Sequence, residues 1–241
     1  MAVIIKSVEP GLVHIRIADV AALRLSESYS DMMRLLPSDD RNKISAYAYQ
    51  KDRLLCMAGR IMMRALAFET AGKSYAPLRF SEFGKPYFEF ENAPQFNLSH
   101  SGDYVALAYG SCPVGVDIEC CNDFEWSDVA EGFSEAERAF IMSDPDRLRC
   151  FYRVWTTREA ISKEFGKGLS IFDSGAVSID FENKEAQCNG RKLFFDDWSV
   201  SGFVLCVCSQ QRFDADIAFV SHEEWQHVMD LLRRGIVAGS G

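Results

Sequence analysis

Although the chain has eight cysteines, no two of them stand three residues apart. That excludes a Cys-x-x-Cys redox motif and a zinc ribbon, and the cysteines read as reduced, mostly structural thiols. Positive charge is also scarce: 26 Lys and Arg face 35 Asp and Glu, a formal net charge of −9. A general nucleic-acid binder needs the opposite balance, so any anionic ligand must meet a local basic cluster. Every long apolar stretch is broken by charge or proline, and the N-terminus has no basic start before an apolar run. Neither a membrane-spanning helix nor a secretory leader is expected, which predicts a soluble cytoplasmic protein with no membrane partner. Histidine is rare, with four in all. Two of them, His222 and His227 in "HEEWQH", imitate a zinc-protease helix but stand five residues apart instead of four, off a common face.

What the chain does have is enough apolar residue, 48% of 241 positions, to bury one large core or two small ones. "VIIKSVEPGLVHIRI" alternates around a Pro-Gly break and predicts two short strands. In "AYAYQKDRLLCMAGRIMMRALAFETAG" the residues Leu55, Ala58, Met62, Ala65 and Leu66 recur at helical spacing, and Gly72 supplies the stop. "KPYFEF", "QFNLSHS", "YVALAYG" and "VGVDIE" then read as strands, the last two as a hairpin around "SCP". From about residue 122 the order repeats: helical "SEAERAFIMSD", a helix over 146–168, then strand-like "GAVSIDFE", "RKLFFDDWSV" and "GFVLCVCSQ". The expected fold class is α+β, with two similar halves packed as a pseudo-dimer, each a helix against a small antiparallel sheet. No linker-like segment separates the halves, so they should pack closely.

Four stretches could carry chemistry. In "VGVDIE", Val114, Val116 and Ile118 should point one way and Asp117 and Glu119 the other. Two carboxylates about 7 Å apart along one strand face suit a hard divalent cation such as Mg²⁺, or form an acidic strand end in solvent. "FNLSHSGD" pairs Ser99 with His100, but Asn97 stands where a hydrolase nucleophile elbow needs glycine. A Ser-His turn offering hydroxyl, imidazole and N–H groups suits phosphate binding, and a satisfied core histidine is the competing reading. Lys85 in "SEFGKPYF" is fixed between Gly and Pro in a turn, where a lysine is ordinarily just solvated. Finally, "VWTTREAISKEFGKGLS" puts Glu159 and Lys163 one turn apart at the rim of the buried face of a helix. They could form an i,i+4 ion pair of a few tenths of a kcal/mol. Alternatively, the carboxylate completes a metal site with Asp117 and Glu119 or takes a proton, and the lysine holds phosphates.

Taken in order, "FGKP", "FNLSHSG", "GVDIE" and "WTTREAISKEFGKGLS" resemble the 4′-phosphopantetheinyl transferases, specifically the larger pseudo-dimeric branch typified by the surfactin-synthetase-activating enzyme. The resemblance implies an N-terminal half, 1–112, carrying coenzyme A-binding elements. It also implies a C-terminal half, 113–241, carrying the metal site and catalytic helix, with the active site in the cleft between them. The implied reaction moves the phosphopantetheine arm of coenzyme A onto a serine of an apo acyl or peptidyl carrier protein, releasing adenosine 3′,5′-bisphosphate. Carried over, Asp117, Glu119 and Glu159 bind Mg²⁺, with Mn²⁺ as a substitute, and Glu159 is the base for the carrier serine. Lys163 contacts the pyrophosphate and assists the leaving group, and Asp117 and Lys163 both belong to the coenzyme site. Lys43, Lys85, Ser99 and His100 match coenzyme-binding positions, with Lys43 and His100 near the 3′-phosphate. Two departures stand out: Asp40 replaces a common second lysine, with Arg41 beside it as a compensating charge, and Arg158 replaces the usual lysine. Phe124, Trp126 and Phe133 are the expected apolar dock for the carrier, and the protein is expected to act as a monomer. A binding module that has lost transfer and a nucleotide-hydrolysing metalloenzyme are the competing functions.

Overall fold

The computed structural model describes residues 5–26, 28–72, 76–172, 177–200 and 202–238. In chain order the elements are β1 (Leu12–Asp19), α1 (Val20–Ser26), α2 (Tyr29–Arg34), α3 (Ser38–Ser45), α4 (Gln50–Ala71), β2 (Leu78–Phe80), β3 (Pro86–Phe88), β4 (Gln95–Ser101), β5 (Tyr104–Gly110) and β6 (Val114–Cys120). The chain continues through α5 (Ser127–Ala130), α6 (Glu135–Ser143), α7 (Arg147–Phe165), a 3₁₀ turn (Leu169–Phe172), β7 (Val177–Asp180), β8 (Glu185–Cys188), β9 (Arg191–Val200), β10 (Phe203–Ser209), β11 (Asp214–Phe219) and α8 (His222–Ala238).

These elements make an α+β protein of four layers: helix, sheet, sheet, helix. The first sheet has the order β11-β1-β5-β4 and the second β6-β10-β9-β8-β7, with β2 and β3 forming a separate hairpin. Strand periodicity explains the layering. On β1, Val13, Ile15 and Ile17 face the second sheet, where Val116, Ile118, Leu205 and Val207 meet them. The other face of the first sheet, including Leu107 and Tyr109 of β5, packs under α4 and α8. β10 is buried on both sides. Its Phe203, Leu205 and Val207 look toward the first sheet, and Cys206 and Cys208 look toward α7. That double burial is why "FVLCVC" reads as an unbroken apolar run.

The long helices end where glycine allows it: Gly72 caps α4 and Gly166 caps α7, both left-handed with φ of 64° and 68°. The apolar residues expected on α4 are all buried. Other expectations need correction. Only the second half of "VIIKSVEPGLVHIRI" is a strand; residues 6–9 have no strand partner, Lys6 N–H donates instead to the Tyr109 hydroxyl at 2.8 Å, and Val3 and Ile4 lie outside the described residues. β5 and β6 are not a hairpin. Both edges of β5 are taken, by β1 and β4, so Ser111–Cys112–Pro113 carries the chain across to the second sheet, where β6 pairs with β10. Beyond β10 the chain returns: β11 adds to the first sheet parallel to β1, and α8 packs on α4. All eight cysteines are free thiols. Among the described residues no helix is long and apolar enough to cross a membrane.

Candidate active site

Gly115 sets the geometry of the site. A Cβ there would stand 2.0 Å from the Ala160 carbonyl oxygen and 2.5 Å from the Glu164 nitrogen, so only glycine lets α7 lie directly on β6. That contact brings the carboxylates of β6 alongside the polar edge of α7. β6 is an edge strand, and its free edge is closed by side chains of β4 instead of by a main-chain ladder. Asn97 Oδ1 accepts from Val116 N–H at 3.0 Å, and Ser101 Oγ accepts from Cys120 N–H at 3.1 Å. Ser99 and Ser101 hydroxyls donate to Asp117 Oδ1 and Glu119 Oε2, each at 2.7 Å. Three small polar residues at alternate positions therefore stitch the two sheets together.

Lys163 reaches into this seam from α7 and donates to Asp117 Oδ1 at 2.6 Å and Ser99 Oγ at 2.9 Å. Its ion pair is thus made across to the neighbouring strand. Asp117 is only 2% exposed, and its Oδ2 has no hydrogen-bond partner among the described residues. Burial pushes its carboxyl above the ordinary range against the opposing pull of Lys163 and Ser99. Burial does the same to Glu119, which the Ser101 hydroxyl and Trp155 indole partly offset, and to Glu159, where the negative charge of Asp117 adds to the effect. Three carboxylates and one ammonium thus share one field.

The donor chemistry fits a hard divalent cation: oxygen ligands only, excess negative charge, and one buried oxygen still without a partner. Among the described residues no three metal-binding side chains form a ready-made cage, so water and phosphate would complete the shell of an ion bound by these carboxylates. His222 and His227 take no part; His227 lies 3.6 Å from Glu69 on the far helix layer.

The remaining candidates are spread along the same seam and beyond it. His100, the neighbour of Ser99, points the other way and is exposed. Desolvation, and then the Lys163 charge, lower its pKa from 6.5. Lys85 is at the opposite end, where its ammonium donates to the carbonyls of Val114 and Glu164, both at 2.9 Å. Two of its three N–H groups are thereby engaged. Lys43 is exposed at the last turn of α3, 5.8 Å from the centre of the Tyr47 ring. Asp40 is fully buried and ties α3 to α4 through Arg60 at 2.8 Å and Arg64 at 2.7 Å, which accounts for an acid at this position. Arg41 donates to the Leu36 carbonyl at 2.6 Å.

Beside Glu119 opens a cavity of about 360 Å³ lined by Asn122, Phe124, Val129, Phe151, Tyr152 and Trp155. Phe124 is exposed there and Trp126 half-buried, whereas Phe133 is buried behind the wall, stacked on Phe151 with ring centres 5.6 Å apart. Phe133 therefore supports the apolar surface without forming its face. Asn97, Ser101, Gly115 and the Trp155 indole are the site residues that motif reading missed; the small polar residues at 97, 99 and 101 were the signal.

Residues 25–112 match the family model for the N-terminal part of 4′-phosphopantetheinyl transferases, and residues 113–208 match that of the 4′-phosphopantetheinyl transferase superfamily. The chain is 28% identical over 215 residues to the 4′-phosphopantetheinyl transferase ffp of Bacillus subtilis, covering 83% of this chain and 94% of the relative. It is 29% identical over 212 residues to 4′-phosphopantetheinyl transferase Sfp of Bacillus subtilis strain 168, covering 82% and 93%. A human relative, L-aminoadipate-semialdehyde dehydrogenase-phosphopantetheinyl transferase, is 26% identical over 172 residues, covering 61% of this chain and 56% of its own length. With residues 25–112 and 113–208 matched in order, the chain belongs to the 4′-phosphopantetheinyl transferase superfamily.

Proposed function

We propose that this enzyme transfers the 4′-phosphopantetheine arm of coenzyme A to a serine hydroxyl of an apo carrier protein in a Mg²⁺-dependent reaction that releases adenosine 3′,5′-bisphosphate. The observation that carries this reading is the seam cluster itself, where Lys163 joins Asp117 and Ser99 within the field of Glu119 and Glu159. In the proposed reaction Glu159, half-buried at the rim, takes the proton of the carrier serine, whose oxygen forms a bond to the phosphorus bearing pantetheine. The bond from that phosphorus to the bridging oxygen breaks, and adenosine 3′,5′-bisphosphate leaves with the electron pair, stabilised by the Lys163 ammonium. Asp117, Glu119 and Glu159 would hold a divalent cation, which would supply positive charge against the pyrophosphate.

The layers divide the labour in this reading. The half up to residue 112 offers Lys43, Lys85, Ser99 and His100 to the coenzyme; the half from 113 offers the carboxylates and Lys163, and the elements from Asp214 onward complete the first sheet. The apolar cavity beside Glu119 faces the carrier and its serine. The protein works as a cytoplasmic monomer. Incubation with coenzyme A, Mg²⁺ and an apo carrier, followed by intact mass spectrometry, should show one phosphopantetheine added per carrier. Excess chelator should abolish the gain, and Mg²⁺ or Mn²⁺ should restore it. Coenzyme A cleavage without carrier modification, or full activity in chelator, would overturn the proposal.

A further inference from the structure

Arg158 precedes Glu159 on α7, about 100° around the helix from it, and it is turned away from the carboxylate cluster. Its Nη1 donates to both oxygens of Glu137 at 3.0 and 3.1 Å, and its Nη2 donates to the Gly132 carbonyl at 3.4 Å. The guanidinium carbon lies 4.8 Å from the centre of the Phe133 ring and 3.8 Å from that of Phe172. One side chain, only 9% exposed, therefore grips residues at 132, 133 and 137 and the 3₁₀ turn that follows α7. Glu137 is doubly committed, because it also closes the capping box that starts α6 by accepting from Ser134 N–H at 2.7 Å.

The grip continues into the apolar cavity. Phe133 stacks on Phe151, and Phe151 packs against Phe124 and Trp126 with ring centres 5.5 and 5.6 Å away. Phe172 touches Arg158 without lining the cavity. A lysine could keep the charge opposite Glu137, but an ammonium has no plane to lay against two rings and cannot hold the carboxylate and the carbonyl in one fork.

We propose that Arg158 is a positioning residue that fixes the aromatic wall of the cavity beside Glu119 and thereby sets affinity for the carrier protein. The inference rests on the transfer reaction proposed above. Kinetics of Arg158→Lys and Phe172→Leu test it. In each variant the KM for apo carrier should rise roughly fivefold, the scale of one lost cation–π contact. The KM for coenzyme A and kcat at saturating carrier should stay within about twofold. The double variant should be little worse than the worse single one, since both break one clamp. Hydrogen exchange over residues 124–137 should quicken in both variants. An unchanged carrier KM in folded variants would overturn the inference, as would an equal rise in both KM values. If the wild-type protein modifies no carrier, the proposed reaction falls instead. Exchange then decides the clamp, and unchanged protection over 124–137 in Arg158→Lys refutes it.

Discussion

At Gly115 one missing methyl group decides whether the site exists. Its Cβ would collide with main-chain atoms of α7, at 2.0 and 2.5 Å, and main chain cannot swing aside as a flexible side chain would. Gly115→Ala should therefore cost on the order of 3 kcal/mol of stability or more, and transfer should fall with it because α7 carries Glu159 and Lys163. Thermal unfolding beside single-turnover transfer checks both, and a fold of unchanged stability would contradict the close approach. His100 allows a test that leaves the fold alone, since its side chain is exposed near the end of β4. Desolvation and Lys163 keep its pKa below 6.5, so the imidazole is neutral at pH 7.5 and gains charge only as the pH falls past that lowered value. If it meets the 3′-phosphate, the preference for coenzyme A over its dephospho form should widen between about pH 7.5 and pH 5.5 relative to His100→Ala. Phosphate protonation affects both proteins alike, so the difference between them isolates the histidine. Calorimetry over that range reads it, and parallel curves would remove His100 from the pocket.

Between elements, the decisive feature is a seam made of side chains. β4 and β6 meet edge to edge, yet they belong to different sheets, and Asn97 supplies the partner that the Val116 N–H would otherwise lack. Asn97→Ala strands that buried donor and should cost about 1–3 kcal/mol. Ser101→Ala should cost less, because its bonds are only partly buried. Urea unfolding of the two variants tests the order. At the start of α6, Ser134→Ala should cost about 1 kcal/mol by removing the cap, read by the same method. The elements themselves were legible: strand-like composition bounded by turn residues located β4, β5 and β6, and the glycine stop located the end of α4, whereas the helix expected over 146–168 already ends at Phe165 under the Gly166 cap. The division of β6 into an apolar face and a carboxylate face was legible too. What could not be read was partnership. "SCP" between two strands looks like a hairpin turn, but pairing depends on which edges are already occupied, and β5 had none free. Lys85 looked like a free turn cation, and only the three-dimensional approach of α7 shows two carbonyls waiting for it.

For the molecule as a whole, the last strand decides how the first sheet is completed. β11 runs parallel to β1, and at the join Asp216 gathers two cations and an imidazole: Arg16 at 2.7 Å, Lys6 at 3.0 Å and His14 at 2.9 Å. Arg16 and His14 are each only 1% exposed, and this carboxylate and the nearby carbonyls partner their buried N–H groups. Burial alone would raise the Asp216 pKa, but the hydrogen bonds from Arg16, His14 and Lys6 outweigh it and hold the carboxyl well below the usual range. A carboxylate depressed by folding contributes stability that is complete above its unfolded pKa, near 3.9, and is lost as the pH falls through the folded value. Asp216→Asn should therefore lose about 1.5–3 kcal/mol at pH 7, the range for hydrogen bonds to a charged group. The deficit should stay constant down to roughly pH 5 and shrink below pH 4, where wild-type Asp216 itself begins to take up a proton on unfolding. Because β11 and α8 follow all of the elements that carry the candidate site, this loss should appear first in the layer beneath α4 and only secondarily at Lys163. Hydrogen exchange at pH 7 distinguishes the two: Asp216→Asn should deprotect β1 and β5 before α7. Simultaneous loss in all three would mean that the sheets unfold as one unit and that the parallel strand has no separate part in holding the first.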